Sequence, residues 1–115
     1  MLGASANPER YANSAVRQLQ LHGHDVVAVN PAQPQIHGLQ ALPSLTAVNG
    51  PVDTISLYLA AAQLPAQLPA LLALRPRRVI FNPGTEQQQV AAALQAAGIE
   101  VVAACTLVML ATDSF

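Results

Sequence analysis

Short runs of apolar and β-branched residues alternate with helical periodicity along this chain, and that alternation restricts the fold more than any other feature. DVVAVNP reads as a strand over residues 26–29, apolar throughout and so buried on both faces. Pro31 cannot donate to a ladder and ends it near Asn30. DTISLYL reads as a third strand from Asp53 to about Tyr58, RRVIFNPG as a fourth over residues 78–81, and IEVVA as a fifth. Between them, Ala12, Ala15, Val16 and Leu19 fall at i, i+3, i+4 and i+7, one face of a helix over about residues 9–22 that Gly23 stops. Leu64, Leu68, Leu71 and Leu72 mark a second helix. Pro69 does not suit a helix interior, so this helix should begin later than its leucines suggest. TEQQQVAAALQAAG gives the clearest helix, with Val90, Ala93, Leu94 and Ala97 on its apolar face and Thr85 with Gln88 spaced as a capping box. Residues 32–52 read as loop, and the tail CTLVMLATDSF is apolar without a clear period.

Strands alternating with helices form βαβ units, and right-handed crossovers then give a parallel sheet covered on both faces. The expected fold is α/β: a doubly wound parallel sheet of five strands in order 3-2-1-4-5, within one three-layer α/β/α domain of 115 residues. Ligands of such sheets bind beyond the carboxyl ends of the strands, where the order reverses. That point is expected between strands one and four, flanked by GASANPER and NPGTE. The first strand is the anomaly. A central strand needs about five residues, yet only Met1 and Leu2 precede Gly3. The expectation is a first strand truncated by a missing N-terminal segment.

Composition narrows the partners. Apolar residues make up 52% and charged residues 10%, and the five cations are all arginine. With a net charge of −1, the chain cannot neutralise the many phosphates of a nucleic acid. Pro65, Pro69 and Arg75 break every apolar run before the ~20 residues that cross a bilayer. The lone Cys105 excludes an intrachain disulfide and fits a reducing, cytoplasmic setting as a buried, inert thiol. Low charge leaves room for an apolar surface covered by a second copy, a homo-oligomer.

Gly3, Ala4 and Ser5 carry the strongest chemical signal. Glycine lets the backbone turn and a ligand approach, and the amides of the following helix start would face a diphosphate. Arg10 stands where a guanidinium could reach a phosphate. The alternative is a plain turn with Ser5 or Asn7 capping the helix. The nicotinamide fingerprint is incomplete: Ser5 replaces its second glycine, and the second strand ends in Asn30-Pro31 with no acid for ribose hydroxyls. Asn30 can bond a sugar or adenine edge, or simply form a turn before proline. Asn82-Pro83-Gly84-Thr85-Glu86 opens the third helix and could meet an anion or a thioester carbonyl, or serve only as a turn and cap. The three histidines lack metal-like spacing, and Arg75, Arg77 and Arg78 read as a solvated rim at the far end. No nucleophile, base and orienting group occur together.

LGASANPERYANSAVRQLQLHGHDVVAVNP, VDTISLYL, RVIFNPGTE and GIEVVAACTLVML together resemble the small stand-alone CoA-binding proteins. Their domain is similar to the nucleotide-binding half of the succinyl-CoA synthetase α subunit. The resemblance implies a Rossmann-like fold with a pocket for coenzyme A or an acyl-CoA. It places Gly3, Ala4, Ser5 and Arg10 on the phosphate loop and Asn30 and Pro31 beside the adenine nucleotide. Tyr58 and Leu59 would wall the pocket, and Asn82, Pro83 and Gly84 would close its other side. The synthetases' phosphohistidine belongs to a separate domain, so ligase chemistry is not implied, and a binding module without chemistry of its own is expected. An NAD-type binder and an interaction module with a decayed pocket stay open.

Overall fold

The apolar stripe of residues 12–19 is realised in helix α1 (Tyr11–Leu21), where Ala12, Ala15, Val16 and Leu19 are all buried. It ends as Gly23 predicts: the His24 N–H bonds to the Leu19 carbonyl at 3.1 Å, the 6→1 closure that a left-handed glycine permits. The computed structural model describes residues 1–3, 11–30, 35–36, 38–48, 51–112 and 115, with the backbone alone for Tyr11, 35–36 and 39–40. After α1 come a short antiparallel pair, β1 (Gln35–Ile36) and β2 (Leu39–Gln40), then β3 (Thr54–Leu57), α2 (Leu64–Leu74), β4 (Arg78–Phe81), α3 (Gln88–Ala96), β5 (Glu100–Ala103) and α4 (Thr106–Ala111).

β3, β4 and β5 form a parallel ladder in that order. All four residues of β4 are buried, as a strand flanked on both edges and both faces must be. Single parallel bridges extend the sheet beyond β3: Leu57 to Leu2, Leu2 to Val29, and Val29 to Leu42. Helices cover both faces. Leu64 and Leu71 of α2 and Val90 and Leu94 of α3 share one core with Ile55, Leu57, Val79 and Phe81. α1 lies with α4 on the other face, where Val16 packs with Ala28, Met1 and Val26.

The α/β class, the parallel sheet and the two helical layers agree with the sequence reading, but the order 3-2-1-4-5 does not. The strand taken as third lies beside Leu2, across the first strand from Val29, and the outer place beside Val29 goes to the extended backbone at Leu42. That segment pairs through one residue inside a stretch that reads as loop, so no run of β-formers reveals it. The order therefore reverses between the first strand and β3, not between the first strand and β4. Among the described residues only β3, β4 and β5 form continuous parallel ladders. Residues 26–29 pair through Val29, which bridges Leu2 on one side and Leu42 on the other.

Three local expectations also change. α2 begins at Leu64, so Pro65 falls in its first turn, and it runs through Pro69. Pro69 is exposed, and water can bond the carbonyl that its missing N–H leaves free. α3 is capped by Gln87, whose side chain accepts the Val90 N–H at 2.9 Å, while the Thr85 hydroxyl donates to the Asn82 carbonyl. Arg78 is no solvated rim residue: it is buried, donates to the Thr54 hydroxyl and lies 4.7 Å from the Phe115 ring centroid. Arg77 does remain at the surface, paired with Asp53 at 2.8 Å.

A groove of about 570 Å³ lies at the end of the strands opposite their carboxyl ends, between residues 26–27 and 53–54, and Met1 borders it.

Candidate functional site

Leu2 is held on both sides. Its N–H donates to the Ser56 carbonyl at 3.0 Å, and its carbonyl accepts from the Tyr58 N–H at 2.9 Å. On the other side Val29 donates to the Met1 carbonyl and accepts from the Gly3 N–H. These bonds bring Gly3 to the carboxyl end of the sheet, between Val29 and Tyr58-Leu59. Its φ is +86°, and a Cβ added there would lie 2.9 Å from the Tyr58 carbonyl carbon and 3.0 Å from the Leu59 nitrogen. Glycine is required here twice, for the left-handed backbone and for the close approach of a neighbouring chain.

A crevice of about 350 Å³ opens above this point. Leu2 and Gly3 form its base, Val29, Pro43 and Ser44 one side, and Leu59 with Gln63, Ala66 and Gln67 of the α2 start the other. Its described lining holds no charged side chain. Of the residues expected at the site, Gly3 and Leu59 line this crevice. Asn30 is anchored through its N–H to the Leu42 carbonyl at 2.9 Å, next to the Val29 wall. Ala4, Ser5, Arg10 and Pro31 lie outside the described residues.

Tyr58 points to the other face of the sheet. Its ring is half-buried, and its hydroxyl is buried without a hydrogen-bond partner among the described residues. Burial pushes that hydroxyl's pKa up to about 12, against a smaller opposing pull from the nearby Thr106 and Ser56 hydroxyls. Tyr58 therefore borders the crevice through its backbone, at the Gly3 contact.

Asn82, expected to close the pocket, has a structural role. Its side chain is buried, its amide nitrogen donates to the Ser56 hydroxyl at 2.8 Å and the Leu57 carbonyl at 2.9 Å, and its amide oxygen accepts the Thr106 N–H at 2.8 Å. One carboxamide thus ties the ends of β3 and β4 to the start of α4. β3 separates Asn82 from the first strand, and two strand spacings put it about 10 Å from Leu2. Pro83 and Gly84 form an exposed turn, with the Gly84 N–H donating to Glu86 at 2.9 Å. The sequence singled out NPGTE as a polar loop at a strand end; its asparagine instead faces inward. Gln63 and Gln67, which do line the crevice, gave no signal because they sit in a stretch that reads only as an apolar helix.

The larger groove, at the opposite end of the strands, suits an anion poorly despite Arg77, Arg78 and His24 in its lining. The carbonyl ends of α1 and α2 lie at that end, and a helix C-terminus repels negative charge. Its arginines are also committed, Arg77 to Asp53 and Arg78 to Thr54 and Phe115. Among the described residues no cluster of histidine, cysteine and acidic side chains could hold a metal ion, and no helix is long and apolar enough to cross a membrane.

The same fold occurs in other solved proteins. A solved structure known only as an uncharacterized protein is 38% identical, superposes with a TM-score of 0.93, and covers 99% of this chain and 93% of its own. The Thermus thermophilus protein "cell-free ID.343" is 35% identical with a TM-score of 0.91, over 99% of this chain and 87% of that one. At 18% identity the fold recurs, with a TM-score of 0.77, in an acetyl-coenzyme A synthetase of Ca. Korarchaeum cryptofilum solved with phosphate and ADP, over 90% of this chain and 24% of that one. The Bacillus subtilis protein YneT, itself uncharacterized, is 29% identical over 65 residues, 56% of this chain and 48% of its own; the match spans about half of that relative. The profile of the family described as "CoA binding domain" matches residues 1–111, and the chain belongs to that family.

Proposed function

We propose that this protein binds coenzyme A or an acyl-CoA at the crevice above Gly3, as a binding module without group-transfer chemistry of its own. The observation that carries the reading is the CoA-binding family match over residues 1–111. The diphosphate is assigned to the main-chain amides of the glycine loop, with Ser5 and Arg10 as its side-chain partners, and the adenine nucleotide to the side of Asn30 and Pro31. Leu59 and the Tyr58 backbone wall the site. Pro83 and Gly84 are assigned to the thioester end of the ligand, while Asn82 supports them from within. NAD is the weaker candidate because Asn30, not a carboxylate, ends the second strand.

A thermal-shift panel of CoA, acetyl-CoA, NAD, NADP, ATP and AMP tests this. A ligand at 100 times its Kd that binds only the folded state adds about 2.7 kcal/mol, a rise of roughly 10 °C in a domain of this size. CoA or acetyl-CoA should give the largest rise. A larger rise with NAD, or none with any nucleotide, would contradict the reading.

A further inference from the structure

We infer that Gln63 and Gln67 recognise the hydrogen-bonding edge of the adenine base, an assignment that rests on the CoA reading above. The two residues are four apart at the start of α2 and line the same side of the crevice, as i and i+4 positions do. Neither side chain has a hydrogen bond among the described residues. The other polar group of the described lining, the Ser44 hydroxyl, is 2.7 Å from the Thr46 hydroxyl and bonded to it. Among the described residues, the two carboxamides are therefore the polar side chains of the lining with their hydrogen-bonding capacity fully open.

What they can recognise follows from their surroundings. Phosphates find no cation in the described lining. The start of α2 is poor in amides for an anion, because the preceding 3-10 turn has already used the Gln63 and Leu64 N–H groups on the carbonyls of Ala60 and Ala61, and Pro65 has none. A neutral part of the ligand belongs here. The apolar surfaces of Val29 and Pro43 on one side and Leu59 on the other suit a flat ring better than the flexible pantetheine arm. A carboxamide offers one donor and one acceptor, the complement of an adenine edge with its exocyclic amine beside a ring nitrogen.

The test is calorimetric titration of the wild type and the Gln63→Leu/Gln67→Leu double variant with four probes. These are CoA, adenosine 3′,5′-bisphosphate, 4′-phosphopantetheine, and CoA with hypoxanthine in place of adenine. The variant should bind CoA and the bisphosphate about tenfold more weakly, bind 4′-phosphopantetheine as the wild type does, and lose the preference for adenine over hypoxanthine. Gln63 is exposed and Gln67 half-buried, so the melting temperature should not move. Gln67→Glu, which keeps size and helix preference, should blunt the same base preference and serves if the double variant folds poorly. Wild-type affinity for CoA in the variant, or an equal loss for 4′-phosphopantetheine, overturns the assignment alone. A wild type that binds no CoA overturns the CoA reading and this assignment with it.

Discussion

Gly3→Ala is expected to destabilise the protein by about 3 kcal/mol. Two costs add. The left-handed backbone costs an L residue about 1–2 kcal/mol, and the new methyl must displace the backbone at Tyr58 and Leu59, a misfit of the order of 1–3 kcal/mol. In a domain of this size the melting temperature should fall by roughly 10 °C or more. Gly84→Ala separates the two costs. Gly84 has a φ of +88°, but an added Cβ there meets nothing within 4 Å. Only the backbone cost should remain, about 1–2 kcal/mol. If urea unfolding finds the two variants equal, the close packing of the first strand against the end of β3 is wrong. CoA binding should weaken more in Gly3→Ala than in Gly84→Ala, since only the first widens the crevice.

Asn82→Ala should cost about 3–4 kcal/mol, for a different reason. It takes one partner each from the Thr106 N–H, the Ser56 hydroxyl and the Leu57 carbonyl in a buried site. Each polar group so deprived costs about 1–3 kcal/mol, partly offset where Ser56 and Thr106 keep their own hydroxyl bond. Asn82→Asp should fare little better, because a carboxylate cannot donate to the Leu57 carbonyl. Ser56→Ala removes one bond from the same cluster and should cost about 1 kcal/mol. Chemical denaturation of the three variants gives the ranking, and an Asn82→Ala loss below 1 kcal/mol would contradict the three-way tie. If Asn82 served the ligand alone, its removal would lower affinity and leave stability intact.

The sequence states its layers more clearly than its strand order. Val16 and Leu94 stand at helical spacing on their apolar faces, and periodicity follows from burial, so both lie in the core as expected. Strand order depends on which backbone edges meet. Here it turns on Leu42, one residue in a proline-containing stretch with no β-forming run. The misplaced order moved the expected crevice by one strand and put Asn82 opposite Gly3. Gly3 was legible because only one residue type tolerates its geometry. Asn82 was legible as important but not in its role, since a carboxamide at a strand end can face a ligand or the interior, and composition does not say which. Gln63 and Gln67 carried no signal, because polar residues at a helix start are ordinary.

The account depends on a diphosphate meeting main-chain amides where the first strand ends, between Val29 and Leu59. A crystal structure of the protein with bound CoA tests that most directly. The account predicts the diphosphate at the backbone beside Gly3, with the adenine between the Val29 and Leu59 sides. CoA seated in the groove between Met1 and Phe115, or on the Pro83-Gly84 turn away from Gly3, would contradict it.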